Sequence, residues 1–167
     1  MHASFGELIS SWSHDQAGTK AKWNAPVLVQ RTNTGNNNGD VAPTRAAFVM
    51  SRPELSEARV HLIVKAAKVN AFPMGITIGR VDGNDIAIDD SSVSRFHAWL
   101  QQDLRTKVWS LTDADSKNGT WVAGAELAGK QKVPLTDGTE IRLGNVYLTF
   151  LMPEGLWALL LGDPAKK

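Results

Sequence analysis

Between residues 80 and 118 the sequence gathers side chains able to hold an anion. Arg80 closes the run ITIGR, Ser94 and Arg95 open SRFH, and Lys117 and Asn118 sit within DADSKNGT. A guanidinium keeps its charge at neutral pH, and its planar fork suits a phosphate gripped by two bonds. A serine hydroxyl and loop N–H groups add donors, Lys117 adds a point charge, and the Asn118 amide both donates and accepts. Ser94 and His97 also raise the question of a nucleophile and its base, with Asp113 or Asp115 as orienting acid. Neither a Gly-x-Ser-x-Gly elbow nor an oxyanion loop accompanies them, so no catalytic residues are expected. Singly, each residue has an ordinary role: an arginine solvated after a strand, a serine bonded within a turn, Lys-Asn-Gly as a hairpin.

Other chemistries fail on spacing. DADSKNG starts like a calcium loop, but Lys117 and Asn118 stand where the loop needs Asp or Asn and then Gly, and its twelfth position is Gly124. His2, His14, His61 and His97 show no ligand spacing, and the absence of cysteine removes thiolate metal sites, disulfides and cysteine catalysis. No P-loop or dinucleotide glycine pattern is present. The expectation is a protein without metal or cofactor. Asn118-Gly119-Thr120 matches a glycosylation sequon, which matters only in a secreted chain.

The elements that must position these residues are short. VHLIVK, ITIGR, IAI, HAWLQ, VWSL, TWV, EIRL and YLTF are rich in β-branched and aromatic residues and recur about every dozen residues between Gly, Asn, Asp and Pro clusters. That pattern predicts an all-β fold, an antiparallel β-sandwich or barrel. SKNGTW and LTDGTEI carry Asn-Gly and Asp-Gly, read as tight hairpin turns. MPEGLWALLLGDP predicts a short C-terminal helix, and Ser-x-x-Glu at SRPE suggests a helix around 53–58. Residues 1–55 read as a flexible N-terminal extension with an Asn/Gly-rich linker at 33–40, residues 56–152 as the sandwich, and 153–167 as the helix with a basic tail. In the extension, PVLV could add a strand to the sandwich or dock on a partner.

The 167 residues carry a formal charge of +1, 43% hydrophobic and 21% charged residues, which gives no broad field for nucleic acid or membrane. No apolar run is long enough to span a bilayer and the first residues lack a signal-peptide pattern, so a cytoplasmic location is expected.

In order along the chain, Gly79-Arg80, Asn84-Asp85-Ile86, Ser94-Arg95-Phe96-His97, Asp113 to Thr120, Leu135-Thr136-Asp137-Gly138 and Leu143-Gly144 resemble the pattern of the forkhead-associated (FHA) domain. The resemblance covers about residues 60 to 152 and implies an antiparallel β-sandwich of two twisted sheets that reads phosphothreonine with loops at one end. It implies that Arg80 and Ser94 contact the phosphate, that Arg95 and Lys117 reach it or the adjoining peptide, that Asn118 bonds the ligand's main chain and that Ser116 shapes the loop. Gly79, His97 and Gly119 are implied as architectural. The implied partner is a threonine-phosphorylated protein or peptide downstream of a Ser/Thr kinase. Lys117 stands where the family often has threonine, exchanging a hydroxyl for a charge, and Ser92, two before Ser94, is small and neutral. A second reading keeps the fold but binds a partner independently of phosphorylation; the joint presence of Arg80, Ser94 and Asn118 favours the first. Thr19, Thr32, Thr34 and Thr44 lie in or beside the N-terminal segment, and phosphorylation of one of them is read as a way for that segment to fold back and occlude the site.

Overall fold

The computed structural model describes residues 1–31, 55, 57–66, 72–73 and 75–162. The linker at 33–40, half of the suggested helix at 53–58 (residues 53, 54 and 56), Thr32, Thr34, Thr44 and the last five residues lie outside that set.

Among the described residues, twelve strands form two sheets. The seven-stranded sheet contains β1 (His2–Ser4), β2 (Val27–Gln30), β3 (Arg59–Leu62), β8 (Thr120–Val122), β9 (Ala125–Glu126), β11 (Thr139–Leu143) and β12 (Val146–Leu151). Its order is β1-β3-β2-β12-β11-β8-β9. The five-stranded sheet contains β4 (Ile76–Gly79), β5 (Ile86–Ala87), β6 (Ala98–Gln102), β7 (Trp109–Asp113) and β10 (Lys132–Leu135), in the order β10-β7-β6-β4-β5. The expected sandwich is present. Its core interleaves Ile76, Ile78, Leu100 and Leu111 of the smaller sheet with Leu28, Ile141, Leu148 and Phe150 of the larger.

The N-terminal thirty residues are part of this fold. β2 lies between β3 and β12, pairing Val29 with Val60 on one side and with Thr149 on the other. Its side chains alternate between two cores: Leu28 faces the other sheet, while Val27 and Val29 join Phe5, Leu8, Trp23, Val60, Leu62, Leu151 and Leu156 in a second cluster. A strand buried on both faces reads as a continuous apolar run, and PVLV is such a run. The second cluster is roofed by α1 (Phe5–His14) and α3 (Pro153–Leu161), whose Trp12 and Trp157 rings stack at 5.2 Å.

Local chemistry sets these ends. Ser4 and Glu7 form a reciprocal capping box at the start of α1, a Ser-x-x-Glu signal present in the sequence as SFGE. Asp15 ends α1 and caps α2 (Gln16–Lys22), accepting from the Gly18 N–H. Thr19 is buried and its hydroxyl donates to the Asp15 carbonyl, so its side chain is already committed to the fold. α3 starts with Pro153 at its first turn and stops at Gly162 in the left-handed region.

Asn118-Gly119 and Asp137-Gly138 do not make hairpins. The first joins β7 to β8 and the second β10 to β11, each crossing from the smaller sheet to the larger. The positive φ of Gly119 and Gly138 is kept, but it turns the chain between layers. β5 pairs parallel to β4 across a short loop, because the Asp85 carboxylate folds that loop back by accepting from the Thr77 N–H and hydroxyl and from the Ala66 N–H.

Because Leu28 is fully buried between the sheets, Leu28→Ala should cost about 2–5 kcal/mol in urea unfolding of the full chain. A change within about 0.5 kcal/mol, as expected for surface positions, would mean that the N-terminal strand is dispensable to the fold.

Candidate functional site

Three loops meet at one end of the sandwich and enclose an open groove of about 880 Å³. Arg80, Ser94, Arg95, Lys117 and Asn118 all line it. Sequence positions separated by up to 38 residues are thus brought to one surface.

The loop bearing Arg80 leaves β4 and is held at its first residue, where the Arg80 N–H donates to the Ser94 carbonyl at 2.9 Å. Gly79 is required just before it, because a methyl group there would overlap the Arg95 carbonyl oxygen and crowd the Asn84 amide. Asn84 is buried and its amide donates to the carbonyls of Val81 and Arg95 at 2.8 and 2.7 Å, tying the first loop to the second.

His97 ties the second loop to the third. The Ser94 N–H donates to its Nδ1 at 3.0 Å, so that nitrogen carries a lone pair and Nε2 carries the proton, which donates to the Gly119 carbonyl at 3.1 Å. The ring is fully buried. Burial pushes its pKa down, against smaller upward pulls from the Gly119 bond and the Asp113 charge, so the neutral tautomer is the folded form. His97 meets the main chain of Ser94 and not its hydroxyl, which is the opposite of a nucleophile–base pair. The Ser94 hydroxyl instead accepts from the Lys117 N–H at 3.0 Å, leaving its own proton to donate into the groove.

Asn118 closes the arrangement. Its Nδ2 donates to the Ser92 carbonyl at 2.8 Å, which leaves its carbonyl oxygen for an incoming N–H. Ser92 is itself anchored: its hydroxyl donates to Asp90 at 2.6 Å and accepts from the Asn145 N–H at 2.9 Å. Gly144 lies so close that an added Cβ would stand 2.5 Å from the Ser92 carbonyl oxygen.

Ser116 does not line the groove. Its hydroxyl donates to Asp113 at 2.6 Å, as does the buried Thr120 hydroxyl, so it builds the loop from beneath. Burial pushes the Asp113 carboxyl up, but bonds from Ser116 and Thr120 outweigh it and hold the group below its ordinary value. Gly119 contributes its carbonyl, which also accepts from the Gly144 N–H at 3.0 Å.

Sequence reading assigned no role to Asn84, Asp90 or Gly144, which fix the loops from behind, nor to Phe72, Val81 and Phe96, which line the groove. Asn84-Asp85 soon after Gly79-Arg80 was the available signal for the first of these. The apolar lining had none, because its members come from separate loops.

Electrostatically the groove is one-sided. Arg80, Arg95 and Lys117 are exposed, and among the described residues none of them is in an ion pair with a carboxylate. Asp115, the one acid among the described lining residues, is paired with Lys130 at 3.3 Å. The arrangement can therefore bind a compact, multiply charged anion attached to an extended chain.

Residues 76–144 match the family model described as the FHA domain. Over 71 residues, 42% of the chain, it is 39% identical to an FHA domain-containing protein of Arabidopsis thaliana, and that alignment spans 18% of the relative's length. Among solved structures it is similar to the N-terminal FHA domain of S. cerevisiae Rad53p in complex with a phosphothreonine peptide, at 17% identity over 77% of this chain and 93% of that one, TM-score 0.49. It is also similar to the FHA domain of an Arabidopsis thaliana hypothetical protein, at 24% identity over 77% and 86% of the two chains, TM-score 0.49. No helix among the described residues is long and apolar enough to cross a membrane.

A second imidazole, His61 on β3, is also buried and bonded to Gln30 at 2.9 Å. Burial first, then the nearby His2 and Arg59 charges, push its pKa down to about 4. Both histidines take up protons more readily when unfolded, so their stabilisation is complete above the unfolded pKa of about 6.5 and declines as pH falls below it. Unfolding free energy should therefore drop from pH 7 towards pH 4, and His61→Gln and His97→Gln should each flatten part of that slope. An unaltered slope in the double variant would contradict the assignment.

Proposed function

We propose that the protein is a phosphothreonine-dependent protein interaction module. The observation that carries this reading is the convergence of Arg80, Arg95 and Lys117, none paired with an acid among the described residues, around the Ser94 hydroxyl in one groove. Arg80 and Ser94 hold the phosphate oxygens, Arg95 and Lys117 neutralise the remaining charge, and Asn118 bonds the ligand main chain. A phosphothreonine brings nearly two negative charges and three acceptor oxygens to that set. The ligand is a threonine-phosphorylated protein, and a Ser/Thr kinase acts upstream. A cytoplasmic setting belongs to the same reading. The work is adaptor work, without catalysis, metal or cofactor.

Hydrogen bonds to charged groups contribute about 1.5–3 kcal/mol each. Arg80→Ala should therefore weaken phosphothreonine-peptide binding by roughly 30- to 150-fold while leaving the melting temperature nearly unchanged, since Arg80 is exposed. Calorimetric titration of wild type and variant, with phosphorylated and unphosphorylated forms of one peptide set, measures this. Equal affinity for the two forms in the wild type would instead favour the reading of a phosphorylation-independent module.

A further inference from the structure

The anion-binding groove has a second, apolar side. Phe72, Val81 and Phe96 line it together with the cations, and Val81 and Phe96 are 43% and 39% exposed. Phe96 and Phe72 meet edge to face at 5.4 Å, and both contact Trp99, at 6.1 and 5.6 Å between ring centroids. Trp99 stands on the outer face of β6, since its neighbours Ala98 and Leu100 are wholly buried in the sandwich. The three rings thus form one aromatic shelf running from the outer face of the smaller sheet to the lip of the groove.

The position of this shelf matters more than its size. Phe96 is flanked by Arg95, a groove cation, and by His97, which locks the loop; Val81 follows Arg80 directly. Phe96 and Val81 are therefore each held at a fixed place beside a groove cation by the hydrogen bonds that fix the loops of Arg95 and Arg80. Partly exposed aromatic rings held by a rigid loop offer contact area at little entropic cost. Water alone would leave that area unsatisfied, and a bare phosphate would not reach it. Charge complementarity selects a phosphorylated segment for the basic side, and the continuous apolar lip then faces that segment's neighbouring side chains.

We propose that the Phe72–Phe96–Trp99 shelf, with Val81, is a specificity subsite that takes an apolar or aromatic side chain close in sequence to the phosphothreonine of the same ligand. This rests on the phosphothreonine reading above and adds to it a selection that Arg80 and Ser94 cannot make. Extended chain advances about 3.3 Å per residue, so positions within four residues on either side of the phosphothreonine are the ones to scan.

The test is a fluorescence-polarisation scan of full-length protein against phosphothreonine peptides carrying Phe, Leu or Ser at each of those positions. An apolar residue at one position should tighten binding by roughly three- to tenfold over Ser. Phe96→Ala should collapse that ratio towards one; Val81→Ser, at the more exposed neighbour, gives the same readout should the first variant fail to fold. Phosphorylation-dependent binding with no flanking preference, or with a preference intact in both variants, would overturn the subsite and leave the phosphothreonine reading standing. Loss of phosphorylation dependence in the wild type would overturn both.

Discussion

A single uncharged imidazole holds the loops of the groove together. His97 has no contact with solvent, yet it accepts from the Ser94 N–H and donates to the Gly119 carbonyl. Those two loops belong to different crossings of the chain, 25 residues apart, and neither has regular structure of its own. With both ring nitrogens engaged, the imidazole sets the separation of Ser94 from Lys117 and Asn118. Protonation of Nδ1 would remove one of the two bonds and place a charge in a buried site, so burial keeps the brace intact. Around this brace, the links from Asn84 to Arg95, from Lys117 to Ser94 and from Asn118 to Ser92 complete a frame in which every loop is bonded to another. The cations project from that frame, so their mutual repulsion is met by main-chain hydrogen bonds spread over three loops.

The sheets make this possible by giving the loops rigid roots. β4, β6 and β7 deliver the Arg80 and Ser94 loops and one end of the Lys117 loop, while β8 in the larger sheet receives the other end. The larger sheet is in turn completed by β2, whose two buried faces join the sandwich core to the helical roof. Stability at the groove is thereby tied to packing at the far N-terminal end of the chain.

The residues of the site were legible because their types are tied to local geometry. Gly79 cannot be replaced beneath the Arg95 carbonyl, Gly119 holds a positive φ, and the Ser94-to-His97 spacing permits a ring to bond the serine's own N–H. Such constraints leave fixed intervals in the sequence. The sandwich was legible from alternation and turn chemistry. What escaped was long-range. PVLV signalled burial but not the pair of strands between which it inserts, since β3 and β12 lie about 30 and 120 residues away along the chain. The box SFGE marked α1 locally, yet the polar residues around it masked an apolar stripe of only Phe5, Leu8 and Trp12. Asn-Gly and Asp-Gly reported positive φ correctly but not whether the turn stays within a sheet. Ser116, expected to shape its loop, spends its hydroxyl on Asp113 beneath it.

The central claim is that one phosphorylated threonine is held jointly by the Arg80, Ser94 and Lys117 loops. Amide chemical shifts of isotope-labelled protein, followed while a phosphothreonine peptide is added, test it most directly. The account predicts saturable shifts concentrated at Arg80, Ser94, Arg95, Lys117 and Asn118, absent with the same peptide unphosphorylated. Shifts centred elsewhere, or identical with both peptides, would contradict it.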